Sequence, residues 1–202
     1  MIELLAITDD AGELEPPLRA VRCAGLSVVC APATNGEVDA EALWRREAVI
    51  ERLMEDRDLL PVRYGTVVQD EQAAAAAVAP RSEALARALD RVRGAVELSV
   101  RAVAAGGDDA KAAGHVSGRD YLRDHAARER LARALHEPLA AAARDSVLHD
   151  GPGVLRAAYL VDRGRVDGFV ALFRELQREH RELAVVCTGP WPPYSFTGGR
   201  ES

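Results

Sequence analysis

Apolar and polar positions along the chain fall into short β-like runs and longer helical stripes, and these set the expected elements. Residues 2–8 (IELLAIT) are almost wholly apolar and predict a buried strand. After the turn-rich DDAGELEPP segment, LRAVRCAG predicts a short helix closed by Gly25 as a C′ glycine, and LSVVCAP a second strand stopped by Pro32. Asn35 and Gly36 mark a turn before a long helix from Val38 to Arg57, whose Leu43, Ile50, Leu53 and Met54 share one face. Arg46 and Glu47 fall close to that same face, an unusual place for charge. LLPVRYGTVV reads as a β-branched and aromatic strand with Pro61 near its start. An Ala-rich helix follows, kinked or broken at Pro80 and ending at Gly94, and AVELSVRAVA alternates as a strand.

If the helix at Val38–Arg57 is set aside as an insertion, this order is the split βαβ pattern of ferredoxin-like domains. The stretch AAGGDDAKAAGHVSG has four glycines and no periodicity, so it reads as a linker. Beyond it come an Arg- and Ala-rich helix from Arg119, ending or kinking at Pro138 with its final turns running on to Gly151, and a strand LRAAYLVDRG. A helix with Val166, Phe169, Val170, Phe173, Leu176 and Gln177 on one face follows, then a strand LAVVCTG and the tail PWPPYSFTGGRES. The expected architecture is therefore α+β in two domains. Residues 1–105 form an N-terminal ferredoxin-like domain with an inserted helix. Residues 106–117 form a linker or mobile loop, and 118–202 a smaller C-terminal α+β domain with a docked proline and aromatic tail.

Composition narrows the class. With 48% hydrophobic and 29% charged residues the chain is that of an ordinary globular protein. A net charge of -6 argues against nucleic acid as a partner, since phosphate neutralisation needs a clustered basic footprint. No run of about 18 apolar residues is present and Met1 leads straight into a strand, so neither a membrane span nor a secretory leader is expected. Cys23, Cys30 and Cys187 lie in apolar runs without CxxC spacing and predict reduced, buried thiols of a cytoplasmic protein.

The residues show no catalytic constellation. His115, His125, His136, His149 and His180 have no metal-ligand spacing, and no phosphate-binding glycine motif or nucleophile elbow occurs, so no catalytic residue, metal or cofactor is assigned. Two polar or aromatic groups remain. Arg46, Glu47 and Arg63 are the candidates for a buried polar cluster, with Arg63 expected to be held by Glu47 or by backbone carbonyls, because unpaired buried charge is costly. Trp191, Pro192, Pro193, Tyr194 and Phe196 concentrate scarce aromatics, 4% of the chain, in a proline-stiffened tail. Residues 189–196 are expected to lie ordered against the N-terminal domain near LLPVRYGT, joining the two halves.

Two segments carry a resemblance. LLPVRYGTVVQDE, residues 59–71, and TGPWPPYSF, residues 188–196, resemble in order the motifs of the gas vesicle F/L protein family. Arg45-Arg46-Glu47 ahead of the first motif, Gly118 and Tyr121 at the start of the second half, and AAYLV before the last helix extend the likeness over almost the whole chain. The resemblance implies a non-enzymatic accessory protein, cytoplasmic and gas vesicle associated. It implies a role in vesicle assembly by binding the small hydrophobic shell protein and other accessory proteins, with self-association compatible with that role. Arg46, Glu47, Arg63, Tyr64 and the tail aromatics are then interaction or interdomain candidates. The rival reading is a ferredoxin-like protein that binds or converts a small molecule.

Overall fold

The computed structural model describes residues 1–33, 40–104, 118–149 and 154–198. The fold is α+β with two sheets, and the chain divides into two compact units: residues 1–95 together with 191–202, and residues 96–190. The expected linker at 106–117 and the turn at Asn35 and Gly36 lie outside the described residues. So do the side chains of Arg119, Asp120, Arg123 and Asp124.

In the first unit, β1 (Ile2–Thr8), β2 (Arg19–Cys23) and β3 (Leu26–Pro32) precede the helix α1 (Ala40–Asp56). Two very short strands follow, β4 (Leu60–Pro61) and β5 (Val67–Val68), then α2 (Glu71–Val78) and α3 (Ser82–Val92). The sheet order is β2-β3-β1-β4, with β5 also paired to β1. As the central strand, β1 is buried on both faces, which is why its sequence is a continuous apolar run rather than an alternating one. The helix α1 packs on β1 through Ile50, Leu53 and Met54, with Arg46 on the same buried face. Between α2 and α3, Pro80 sits in a single 3-10 turn, so the expected break falls there. Asp70 starts α2 by accepting a hydrogen bond from the Ala73 N–H at 2.8 Å, as an N-cap aspartate does.

Three expectations fail in instructive ways. Residues 19–23 form a strand, not a helix: β2 and β3 make a hairpin whose two turn residues, Ala24 and Gly25, have φ of 50° and 81°. A left-handed glycine serves equally as a helix stop and in a two-residue hairpin turn, and Gly25 takes the second role. Residues 145–148, expected as the last turns of a helix, form the edge strand β7 (Asp145–Leu148), because α4 (Gly118–Ala142) runs through Pro138 and stops sooner. LLPVRYGTVV is two strands of two residues around a turn, not one strand.

The second unit continues from β6 (Ala95–Ala104) through α4, β7, β8 (Leu155–Asp162), α5 (Val166–Glu179) and β9 (Leu183–Trp191), with sheet order β7-β8-β6-β9. One face of this sheet carries Leu98, Val100, Ala102, Leu155, Ala157, Tyr159, Leu183 and Val185, which pack with Leu135 and Leu139 of α4 and Phe169, Phe173 and Leu176 of α5. The β-α-β-β-α-β succession expected over residues 2–104 is thus that of residues 95–191. The first unit runs β-β-β-α-β-β-α-α instead.

Candidate functional site

The first unit holds a buried polar cluster centred on Arg46. Its origin is a break in the sheet. A bulge between Leu4 and Ala6 shifts the register of β1, and on the other side the chain leaves β4 at Val62 and rejoins β1 only at Thr66. The Val62 N–H donates to the Leu5 carbonyl and the Leu4 N–H to the Thr66 carbonyl, both at 2.9 Å. The intervening Arg63–Thr66 turn is closed by the Thr66 hydroxyl on the Arg63 carbonyl at 2.7 Å, and Gly65 takes a φ of 74° that only glycine adopts without strain. The carbonyls of Leu4 and Val62 face Arg46.

Arg46 supplies donors for those carbonyls and for two carboxylates. One terminal nitrogen donates to the carbonyls of Val62 and of Leu4, the latter at 3.4 Å. Its Nε donates to Glu3 Oε1 at 3.0 Å, and the other terminal nitrogen to Glu47 Oε1 at 3.4 Å and the Tyr194 hydroxyl at 3.3 Å. Five N–H groups thus have five acceptors, the condition for burying a guanidinium. The Tyr64 ring lies with its centroid 5.6 Å from the guanidinium carbon, a cation–π distance. Glu3 Oε1 also accepts from the Gly65 N–H at 3.2 Å, so one carboxylate ties helix, strand and turn.

The tail completes the cluster. Pro192, Pro193 and Phe196 are buried and Trp191 and Tyr194 partly so. The Tyr194 hydroxyl donates to Glu47 Oε1 at 2.8 Å while accepting from Arg46. A 3-10 turn over Tyr194–Phe196 seats Phe196, 1% exposed, and Arg91 on α3 donates to the carbonyls of Phe196 and Gly198. Residues 191–198 therefore pack within the first unit, next to the turn that follows LLPV.

Sequence reasoning singled out Arg46, Glu47, Tyr64 and Tyr194, which the structure brings together, and Trp191, Pro192, Pro193 and Phe196, which lie beside Tyr194 in the tail, the last three buried. Arg63 is different: its side chain is exposed and makes no hydrogen bond or ion pair among the described residues, whereas its backbone carbonyl holds the turn. The place expected for its guanidinium is filled by that of Arg46, which reaches Glu47 and the carbonyls from the helix side. Glu3 and Arg91 escaped the sequence reading. Glu3 had a signal, being a lone carboxylate in an apolar strand. Arg91 had none, since an arginine in the last turn of an amphipathic helix is ordinary.

Burial, and then the hydrogen bond to Glu47, raise the Tyr194 phenol above its ordinary range; burial does the same for Tyr159. An unfolded phenol ionises near pH 10. Above that pH the folded state holds more protons than the unfolded one, so stability is complete below about pH 10 and falls as pH rises through the folded-state values. The unfolding free energy is expected to decline between pH 10 and 12, with a shallower slope in Tyr194→Phe; an unchanged slope in urea titrations would contradict this. Burial likewise raises the thiols of Cys30 and Cys187, which disfavours their thiolates. Among the described residues no group of three or more His, Cys, Asp and Glu is arranged to hold a metal ion, and no helix is long and apolar enough to cross a membrane.

Comparison with known proteins gives one consistent result. The profile of the family described as gas vesicle synthesis protein GvpL/GvpF matches residues 4–198. The chain is similar to gas vesicle protein L of Streptomyces sp. (strain CB03234), 35% identical with 79% of this chain and 70% of that one covered. It is similar also to gas vesicle protein F1 of Halobacterium salinarum, 24% identical with coverage of 70% and 61%. Among solved structures, gas vesicle protein GvpF from Anabaena sp. PCC7120 shares the fold with a TM-score of 0.80 at 16% identity, covering 99% of each chain.

Proposed function

Since the chain belongs to the gas vesicle synthesis protein GvpL/GvpF family, we propose that it is a non-enzymatic accessory factor that assembles gas vesicles by binding the small hydrophobic shell protein and other accessory gas vesicle proteins. The observation that carries this is the match across residues 4–198, which takes in both units and the tail. The protein acts in the cytoplasm, at the vesicle. The ferredoxin-like architecture is assigned to the second unit, whose succession and strand order fit it. Within this reading the cluster of Arg46, Glu47 and Tyr194 fastens the tail and shapes the first unit. Arg63, Tyr64 and Trp191, at or near the surface, are the members available to partners. Clean deletion of the gene is expected to abolish or truncate vesicles without a general growth defect, and the purified protein is expected to bind other gas vesicle proteins. Vesicles of normal number and shape in a strain with no second copy would end this reading.

A further inference from the structure

The sheet of the second unit has a second face, opposite the one that packs on α4 and α5. Alternation along the strands puts Glu97, Ser99, Arg101 and Val103 on that face of β6, Arg156, Ala158 and Leu160 on that of β8, and Val186 and Thr188 on that of β9. Glu97, Ala158 and Leu160 are buried, and the open part is the one around Arg101, Arg156 and Val186. Ser99, Arg101, Arg156, Val186 and Thr188 line a groove of about 710 Å³ together with His149, and Val103 lies next along β6 on the same face. Two features of the groove stand out among the described residues. Arg101 and Arg156 stand on neighbouring strands, exposed and without an ion-pair partner among the described residues, although like charges side by side on a sheet repel. Beside them Val186 is 56% and Val103 40% exposed, on a sheet whose other face is fully covered. The chain as a whole carries a net charge of -6, so the cationic open part of this face runs against its average.

We propose that this face is a docking surface for a polypeptide segment that presents carboxylates and aliphatic side chains together. Carboxylates answer the two guanidiniums by bidentate hydrogen bonding, and aliphatic groups cover the two valines. A purely hydrophobic segment leaves the arginines unpaired beneath it, and a basic one is repelled. This rests on the reading of the protein as a binder of other gas vesicle proteins and specifies the chemistry of one such contact.

The test measures binding of the full-length protein to each of the other purified gas vesicle proteins of its host by titration calorimetry at two salt concentrations. The variants are Arg101→Glu/Arg156→Glu, the milder Arg101→Gln/Arg156→Gln, Val186→Asp, and an Arg81→Glu/Arg174→Glu control of equal charge change elsewhere. The expected result is one partner whose binding weakens with salt, whose Kd rises tenfold or more in the glutamate pair and in Val186→Asp, and which the control leaves unchanged. If the parent protein binds a partner and the glutamate and glutamine pairs bind it equally well, this face is not the docking surface, while the proposed function stands. If the parent binds none of them, both fall.

Discussion

Replacing Arg46 by methionine is expected to destabilise the protein by about 3–5 kcal/mol, because it removes the cation from a buried pair and leaves carboxylates behind. The Arg46 side chain is 5% exposed, and Glu3 and Glu47 are 16% and 23% exposed, so water replaces little of what is lost. The carbonyls of Leu4 and Val62 lose their donors at the same time. Lysine is not expected to restore the cluster, since three donors on one nitrogen cannot serve the five acceptors that the planar guanidinium reaches. Adding Glu3→Gln to Arg46→Met is expected to recover part of the loss by removing the stranded charge. Urea unfolding of the three variants measures this, and a cost below about 1 kcal/mol for Arg46→Met would mean that the network contributes little.

The second large effect is expected at Phe196. It is 1% exposed, and truncating a buried phenylalanine to alanine costs about 3–5 kcal/mol through lost transfer energy and the cavity left behind. Removing residues 191–202 takes away Phe196, Pro192, Pro193 and the Tyr194 hydroxyl together, and leaves Arg91 without the carbonyls of Phe196 and Gly198. The truncated chain is expected to melt lower and to be cleaved rapidly by protease within residues 40–95, with residues 96–190 less affected. Trp191 is only partly buried, so Trp191→Ala is expected to cost less than Phe196→Ala. Equal resistance of full-length and truncated proteins would show the tail to be dispensable for folding.

Much of this site was legible from residues alone, for definable reasons. Arg46 announced itself by standing at a core position of an amphipathic helix, and the tail by crowding aromatics and prolines into a few residues. What stayed hidden depended on pairing between distant segments. Arg19–Cys23 has a single inward residue, Val21, and its strand character comes from the hydrogen bonds that β3 offers, not from its own pattern. LLPVRYGTVV has a strand's composition throughout, yet the bulge in β1 and the left-handed Gly65 turn its middle outward. That reversal exchanged the roles of two arginines: the one inside the motif faces solvent and the one outside it is buried.

The way the first unit is assembled from two segments separated by the whole of the second bears on the order of events during synthesis. Residues 1–95 leave the ribosome first, but the hydroxyl of Tyr194 and the ring of Phe196 belong to the same core and are made only after residues 96–190. Domains otherwise mature from the N-terminus as they emerge. Here the nascent first half waits, with Glu47 lacking its phenol and a Phe196-sized hole in its packing, while the middle of the chain is translated. The second unit is complete at residue 190, so it has all its residues before 191–198 arrive to fill the core of the first.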